Sequence, residues 1–395
     1  MTAPARTLPN GTSIGKHPAA PRARTAAGTV IAVACLLVAG CGSKPAPSAS
    51  LPAVPAPPPL ATSFAAAGGA SWTVVQMGGS AAQEENFWQL FVRPTAAAAW
   101  RLVTPVGVAD NGGLVVASPG SGSLVTAFRP SQLLTYTPLA ASTDNGANWS
   151  SAGPLNAGLA SAADALAAGP SGQLIALTSG GTRAELGRRL GTTWTRLATA
   201  SSLNATSAGK SCGVTGLTAA AFSGSTPMLA ASCDRPGVAG IFAGTAGTWR
   251  AAGPSLPGDT VDVLGLAASG TGLVALLRAT TGTSARIIGA WYSGGRWTLS
   301  APLRIAAGQL GSMAIGPGGS IGVTWNGTSG ATLAGPGTAW RALPALPKWA
   351  ATLALGPQVE VIVANGQTFK DYQLTSGGWS VAQTVHVQIP YGSSG

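Results

Sequence analysis

Trp100, Trp149, Trp194, Trp249, Trp297, Trp340 and Trp379 recur along the chain at intervals of 39 to 55 residues. A large ring repeated at that spacing fills an equivalent place in successive copies of one unit, and about 40 to 50 residues suits four short strands with their turns. Several copies share a Gly three residues upstream, as Gly191-Thr-Thr-Trp194, Gly294-Gly-Arg-Trp297 and Gly337-Thr-Ala-Trp340. Within each interval a run of small apolar residues such as Ala163–Ala168 leads into a Gly/Ser/Pro turn. A more branched run such as Leu174–Thr178 follows, then a third strand and the Trp strand. Only 8 % of residues are charged while glycines number 56, a balance of short strands and glycine turns, not of helices with charged faces. The expected fold is all-β: a β-propeller of seven four-stranded blades, with six or eight as alternatives. The units fall at 60–105, 110–154, 160–199, 212–254, 260–302, 310–345 and 350–383.

Small residues in each first strand suit the crowded axis of a closed ring. A ring also needs closure, because an open last blade exposes an edge. Val385–Ile389 alternates like a further strand that could pair with the first blade. Cys212 and Cys233 flank two apolar runs, Val214–Phe222 and Pro227–Ala231, and lie equidistant from the turn Ser223-Gly224-Ser225. They are expected to face each other as a disulfide, consistent with export. A metal pair lacks partners, since His17 and His386 are the only histidines; no metal and no cofactor is expected.

Ser142-Thr-Asp144-Asn-Gly146-Ala-Asn-Trp149 carries the pattern S-x-D-x-G-x-x-W, which resembles the Asp-box of sialidase-like (BNR) β-propellers. In that motif Ser142, Asp144, Gly146 and Trp149 are structural: the carboxylate folds onto its own turn, the glycine supplies backbone freedom and the indole packs between sheets. The resemblance implies one enzymatic alternative, an exo-acting glycosidase with a Tyr/Glu nucleophile pair, an Asp acid/base and an arginine triad at the axis. The residues fit it badly. Tyr136, Tyr292 and Tyr372 fall on third strands, Tyr391 lies in the tail, and Phe91-Val-Arg-Pro94 has the wrong order for the F/Y-R-I-P segment. A glycosidase of another kind needs two carboxylates at fixed separation, and the chain has only 11 acids. No catalytic residue is assigned, and a non-catalytic protein is expected.

At the N-terminus, basic residues ending at Arg22 and Arg24 precede the apolar run Thr29–Gly40 and then Val38-Ala-Gly-Cys41. This resembles a bacterial lipoprotein signal, with Cys41 the residue that becomes lipidated. About a dozen apolar residues fall short of the roughly 20 that span a bilayer. The resemblance implies signal residues 1–40, a lipidated Cys41 opening a Pro/Ala/Ser-rich tether over 41–59, and a propeller over 60–395 held outside the cell membrane by palmitate-type acyl chains. The tether, rich in proline and free of acids, is extended, on the order of 50 Å.

Four of the 22 basic residues and none of the 11 acids precede Cys41, so the remainder carries +7. That charge favours anionic polymers or headgroups; scattered basic residues in an exported chain argue against nucleic acid. In a four-stranded blade the turn after the second strand and the crossover to the next blade open on one face, and Asp-box turns on the other. Ends of second strands place Arg129, Arg183, Arg235 and Arg278, from consecutive blades, on the first face. Guanidiniums there suit a carboxylated or phosphorylated ligand. The expected function is binding of an envelope protein or an anionic glycan by a monomeric, envelope-anchored lipoprotein.

Overall fold

In the computed structural model, each blade begins with an inner strand at the axis and ends with an outer strand at the rim. Residues 61–65, 70–79, 86–108, 113–128, 139–152, 163–189, 191–270, 272–282, 284–306 and 310–388 are described; the expected signal and tether lie outside them. The seven inner strands are Ala61–Ala65, Leu114–Gly120, Ala163–Ala168, Val214–Ser223, Thr260–Ser269, Leu310–Ile315 and Ala350–Leu355. Each leads an antiparallel meander to its outer strand: Arg101–Leu102, Ser150–Ser151, Thr193–Thr199, Arg250–Ala251, Arg296–Leu299, Arg341–Ala342 and Gly378–His386. Between blades three and four the crossover carries two short helices, Ala200–Ala205 and Ser207–Cys212.

Alternation along the strands gives every blade two apolar faces. These faces meet in seven buried clusters, one for each junction of neighbouring blades, including the junction of blade seven with blade one. The ring is therefore closed with seven blades. The recurring tryptophans lie at these junctions, and the N–H groups of four of them reach backward. Trp149 donates to Val103 O (2.7 Å), Trp297 to Ala252 O (2.5 Å), Trp340 to Ala301 O (2.9 Å) and Trp379 to Pro344 O (3.4 Å), each on the preceding blade. The indole is thus a clamp as well as a wedge, which explains why Trp and not Phe recurs. Trp194 is half-buried, and its buried Nε1 meets no acceptor among the described residues.

Closure departs from the expectation in one respect. Val385 does not begin a further strand for blade one. It lies within the outer strand of blade seven, paired with Phe369, so each blade is built from one continuous stretch. Three other devices close the seam. Ala61–Ala65 pairs antiparallel with Ser71–Gly78 and parallel with Leu310–Ile315, merging blades one and six into an eight-stranded sheet. The inner strand of blade seven packs against both. Gln383 holds Trp100 by both backbone groups, accepting from its N–H and donating to its carbonyl at 2.8 Å each. Behind it Arg93 of blade one pairs with Glu360 of blade seven, both nearly fully buried. The Arg93 guanidinium lies 4.8 Å from the Trp100 ring, and Phe91 stacks on Phe369 at 3.9 Å.

Cys212 and Cys233 form a disulfide, Cα–Cα 5.0 Å. It joins the end of the second helix to the end of the second strand of blade four, pinning the helical crossover to that blade.

Candidate functional site

The Asp-box turn folds as its residues dictate. Ser142 Oγ donates to Asp144 Oδ1 (2.7 Å) and accepts from Gly146 N–H (2.9 Å), while Asp144 Oδ1 accepts from Asn148 N–H (2.9 Å). The Asn148 N–H, then the Ser142 hydroxyl and the Asn148 side-chain amide, pull the Asp144 carboxyl from its ordinary 3.8 down to about 2. Gly146 has φ 79°, and a Cβ there would lie 2.7 Å from Val103 Cγ2. All of these groups are spent on the turn, which leaves them no part in ligand chemistry.

The opposite face collects the turns after the second strands and the crossovers between blades. In blades three to seven the inner strand slips register by one residue near this face. The extra residues are Asp164, Thr215, Leu264, Gly311 and Ala351, at equivalent places in five blades. Bulges of this kind bend the strand and turn a side chain out of the ladder. Nothing in composition or periodicity marks them. Asp164 uses its freedom to accept the Gly181 N–H at 3.0 Å, bracing the turn beside Arg183.

The four arginines assigned to this face fare differently. Arg183 opens the third strand of blade three and is exposed, and Arg235, exposed, follows the disulfide-bonded end of Thr226–Cys233. Arg278 is not at a strand end, because its strand runs on to Thr281. It forks onto Asp262 Oδ2 through Nε (3.2 Å) and Nη2 (2.8 Å). Next to it Arg286 pairs with Asp259, which also accepts from the Thr281 hydroxyl. Blade five thus spends Arg278 and Arg286 on its own carboxylates, and Arg183 and Arg235 remain exposed. Arg129 lies outside the described residues. Tyr292 and Tyr372 are on third strands, away from the axis; Tyr292 packs on Trp297 at 5.0 Å. Tyr136 and Tyr391 lie outside the described residues, and no group of three His, Cys, Asp or Glu among the described residues could hold a metal ion.

One residue on this face stands apart. Between blades six and seven the backbone turns through Pro347–Ala350, closed by Ala350 N–H to Pro347 O at 3.2 Å. The third position of that turn is Trp349, with φ 68°, a conformation that favours glycine. Its ring is 56 % exposed, and the Lys348 ammonium sits 5.0 Å from its centroid. A bulky side chain in left-handed backbone costs roughly 1–2 kcal/mol, and showing an indole to water adds to the cost. The sequence signal was partial: Trp349 is out of step with the tryptophan period, but so are Trp72, Trp88, Trp291 and Trp325.

The molecule is thus a seven-bladed β-propeller. Among solved structures it is similar in fold to YCF48 from Cyanidioschyzon merolae, with 14 % identity over 83 % of this chain and 95 % of that one, TM-score 0.44. It is also similar to the β-propeller domain of the Trilobed protease from Pyrococcus furiosus, described as having an open velcro topology: 8 % identity, 83 % and 94 % coverage, TM-score 0.43. A third is the Aleuria aurantia lectin in complex with α-methyl-L-fucoside: 16 % identity, 73 % and 99 % coverage, TM-score 0.40. No family model and no curated protein matches the chain.

Proposed function

We propose that this protein is an envelope-anchored lipoprotein, lipidated at Cys41, whose propeller binds an envelope protein or an anionic glycan through the crossover face and performs no catalysis. The observation that carries the binding reading is Trp349. An indole held at φ 68°, more than half exposed and flanked by an ammonium, is a feature that stability alone would remove. It offers a flat apolar surface to a sugar ring or a partner side chain, with Lys348 beside it for a carboxylate or phosphate. Arg183 and Arg235 add exposed forked donors to the same face. The propeller class hosts many functions, so this reading rests on the site and not on the fold.

The test is recovery of partners from envelope extracts with wild type, with W349G, and with Arg129, Arg183, Arg235 and Arg278 changed to Ala. The reading expects both variants to lose partners that wild type retains. Equal recovery by all three would rule out this face. The anchor is tested separately: labelled palmitate should enter wild type and not C41S.

A further inference from the structure

We propose that the rim of the propeller is a second binding surface, separate from the crossover face, and that it takes a carboxylate-bearing polysaccharide. In blades one, four, five and six an arginine stands next in sequence to the outer tryptophan: Trp100-Arg101, Trp249-Arg250, Arg296-Trp297 and Trp340-Arg341. The four indoles belong to the clusters at the junction with the preceding blade. Adjacent positions of a strand point to opposite faces, so each guanidinium leaves on the other side, and all four arginines are exposed. Their cross-strand partners are Val92, Ala243, Ser293 and Thr332, none charged. The ion pairs found among the described residues engage Arg93, Arg278 and Arg286 and none of these four. Nor does any of the seven outer strands contain an acid.

Two explanations compete. Outer strands are sheet edges, and a charge on an edge discourages pairing with another chain. Either sign serves that purpose, and mixed signs would avoid the self-repulsion that a single-signed row incurs. Arg101, Arg250 and Arg341 share one structural position and Arg296 flanks its indole on the other side; with no acid in the outer strands beside them they specify an anionic counterpart, and each guanidinium can fork onto a carboxylate. The distribution selects the shape of that counterpart. Blades four, five and six are consecutive, so their arginines follow the curve of the ring. A flat membrane touching the rim meets neighbouring blades at a tangent, whereas a flexible chain carrying regularly spaced carboxylates can follow the curve.

The experiment measures the full chain on immobilised polygalacturonate as probe, comparing wild type, the rim variant R101Q/R250Q/R296Q/R341Q and the crossover-face variant R183Q/R235Q. Wild type should bind and weaken steeply as salt rises, since exposed charges are screened. The rim variant should bind about tenfold more weakly or worse, as the loss of several exposed ion pairs would give. The crossover-face variant should weaken binding of this probe less than the rim variant does, and an equal or greater loss there would overturn the proposal. If the quadruple variant fails to fold by circular dichroism, the single changes R250Q and R296Q are read, each expected to weaken binding measurably. No binding by wild type, equal binding by folded rim variants, or binding of phosphatidylglycerol vesicles in place of polygalacturonate would each overturn the proposal.

Discussion

Gly146 and Gly113 separate two costs that usually occur together. Both have positive φ, but a Cβ at Gly113 meets nothing within 4 Å, whereas at Gly146 it meets Val103 at 2.7 Å. G113A should therefore cost about 1–2 kcal/mol for left-handed backbone alone, and G146A clearly more, checked by urea unfolding. Asp144 gives the corresponding pH dependence. Its pKa is depressed, so its contribution is complete above about 3.8 and is lost as pH falls through about 2, which a titration of its carboxyl carbon by NMR would follow. Trp349 should behave in the reverse way. W349G relieves the strained turn at the expense of a more flexible unfolded chain, so it should be at least as stable as wild type in thermal unfolding while losing partner binding. The Asp-box turn was legible in the sequence because Ser142, Asp144, Gly146 and Asn148 bond to one another within seven residues. The state of Arg278 was not, because Asp262 lies on a neighbouring strand, and only the register of the two strands brings them side by side.

At the level of the strand and the blade, the seam between blades one and seven concentrates the polar cost of closing the ring. Asp371 is 2 % exposed there. Burial, with the Glu360 charge added, raises its carboxyl from 3.8 to about 7, against the opposing pull of Arg93 and the Trp100 indole. Its folded pKa lies above its unfolded one, so the folded chain holds the extra proton between those values. Stability should fall as pH rises from about 4 to about 7 and be flat on either side. D371N, which mimics the protonated form, should abolish that slope in denaturation midpoints measured across the window. The Arg93–Glu360 pair obeys different arithmetic. E360A leaves a buried guanidinium uncompensated and should cost about 3–5 kcal/mol, whereas R93M/E360L should cost less than either single change, because the desolvation of both charges disappears with them. The blades themselves were legible from the tryptophan period and from turn glycines. The seam was not, since Arg93 and Glu360 are 267 residues apart and neither sits in a repeating position.

On the scale of the whole ring, cooperativity should exceed what seven separate sheets would show, because four indole N–H groups are bonded to the blade before them. The disulfide acts at one place in this circuit. It closes a loop of 21 residues, so C212A/C233A should lower stability by about 3 kcal/mol in chemical denaturation. That variant should keep its polygalacturonate affinity, because the bond ties the crossover face and not the rim.

The way in which Ala61–Ala65 is held has a mechanical consequence. The strand runs parallel to Leu310–Ile315 and antiparallel to Ser71–Gly78, with ladders on both sides. A pull applied upstream of Ala61 therefore loads two rows of hydrogen bonds lengthwise, and they must fail together; they cannot peel one by one. Stretching single molecules from the N-terminus should give a higher rupture force than stretching from the C-terminus, where the outer strand of blade seven is laddered on one side only.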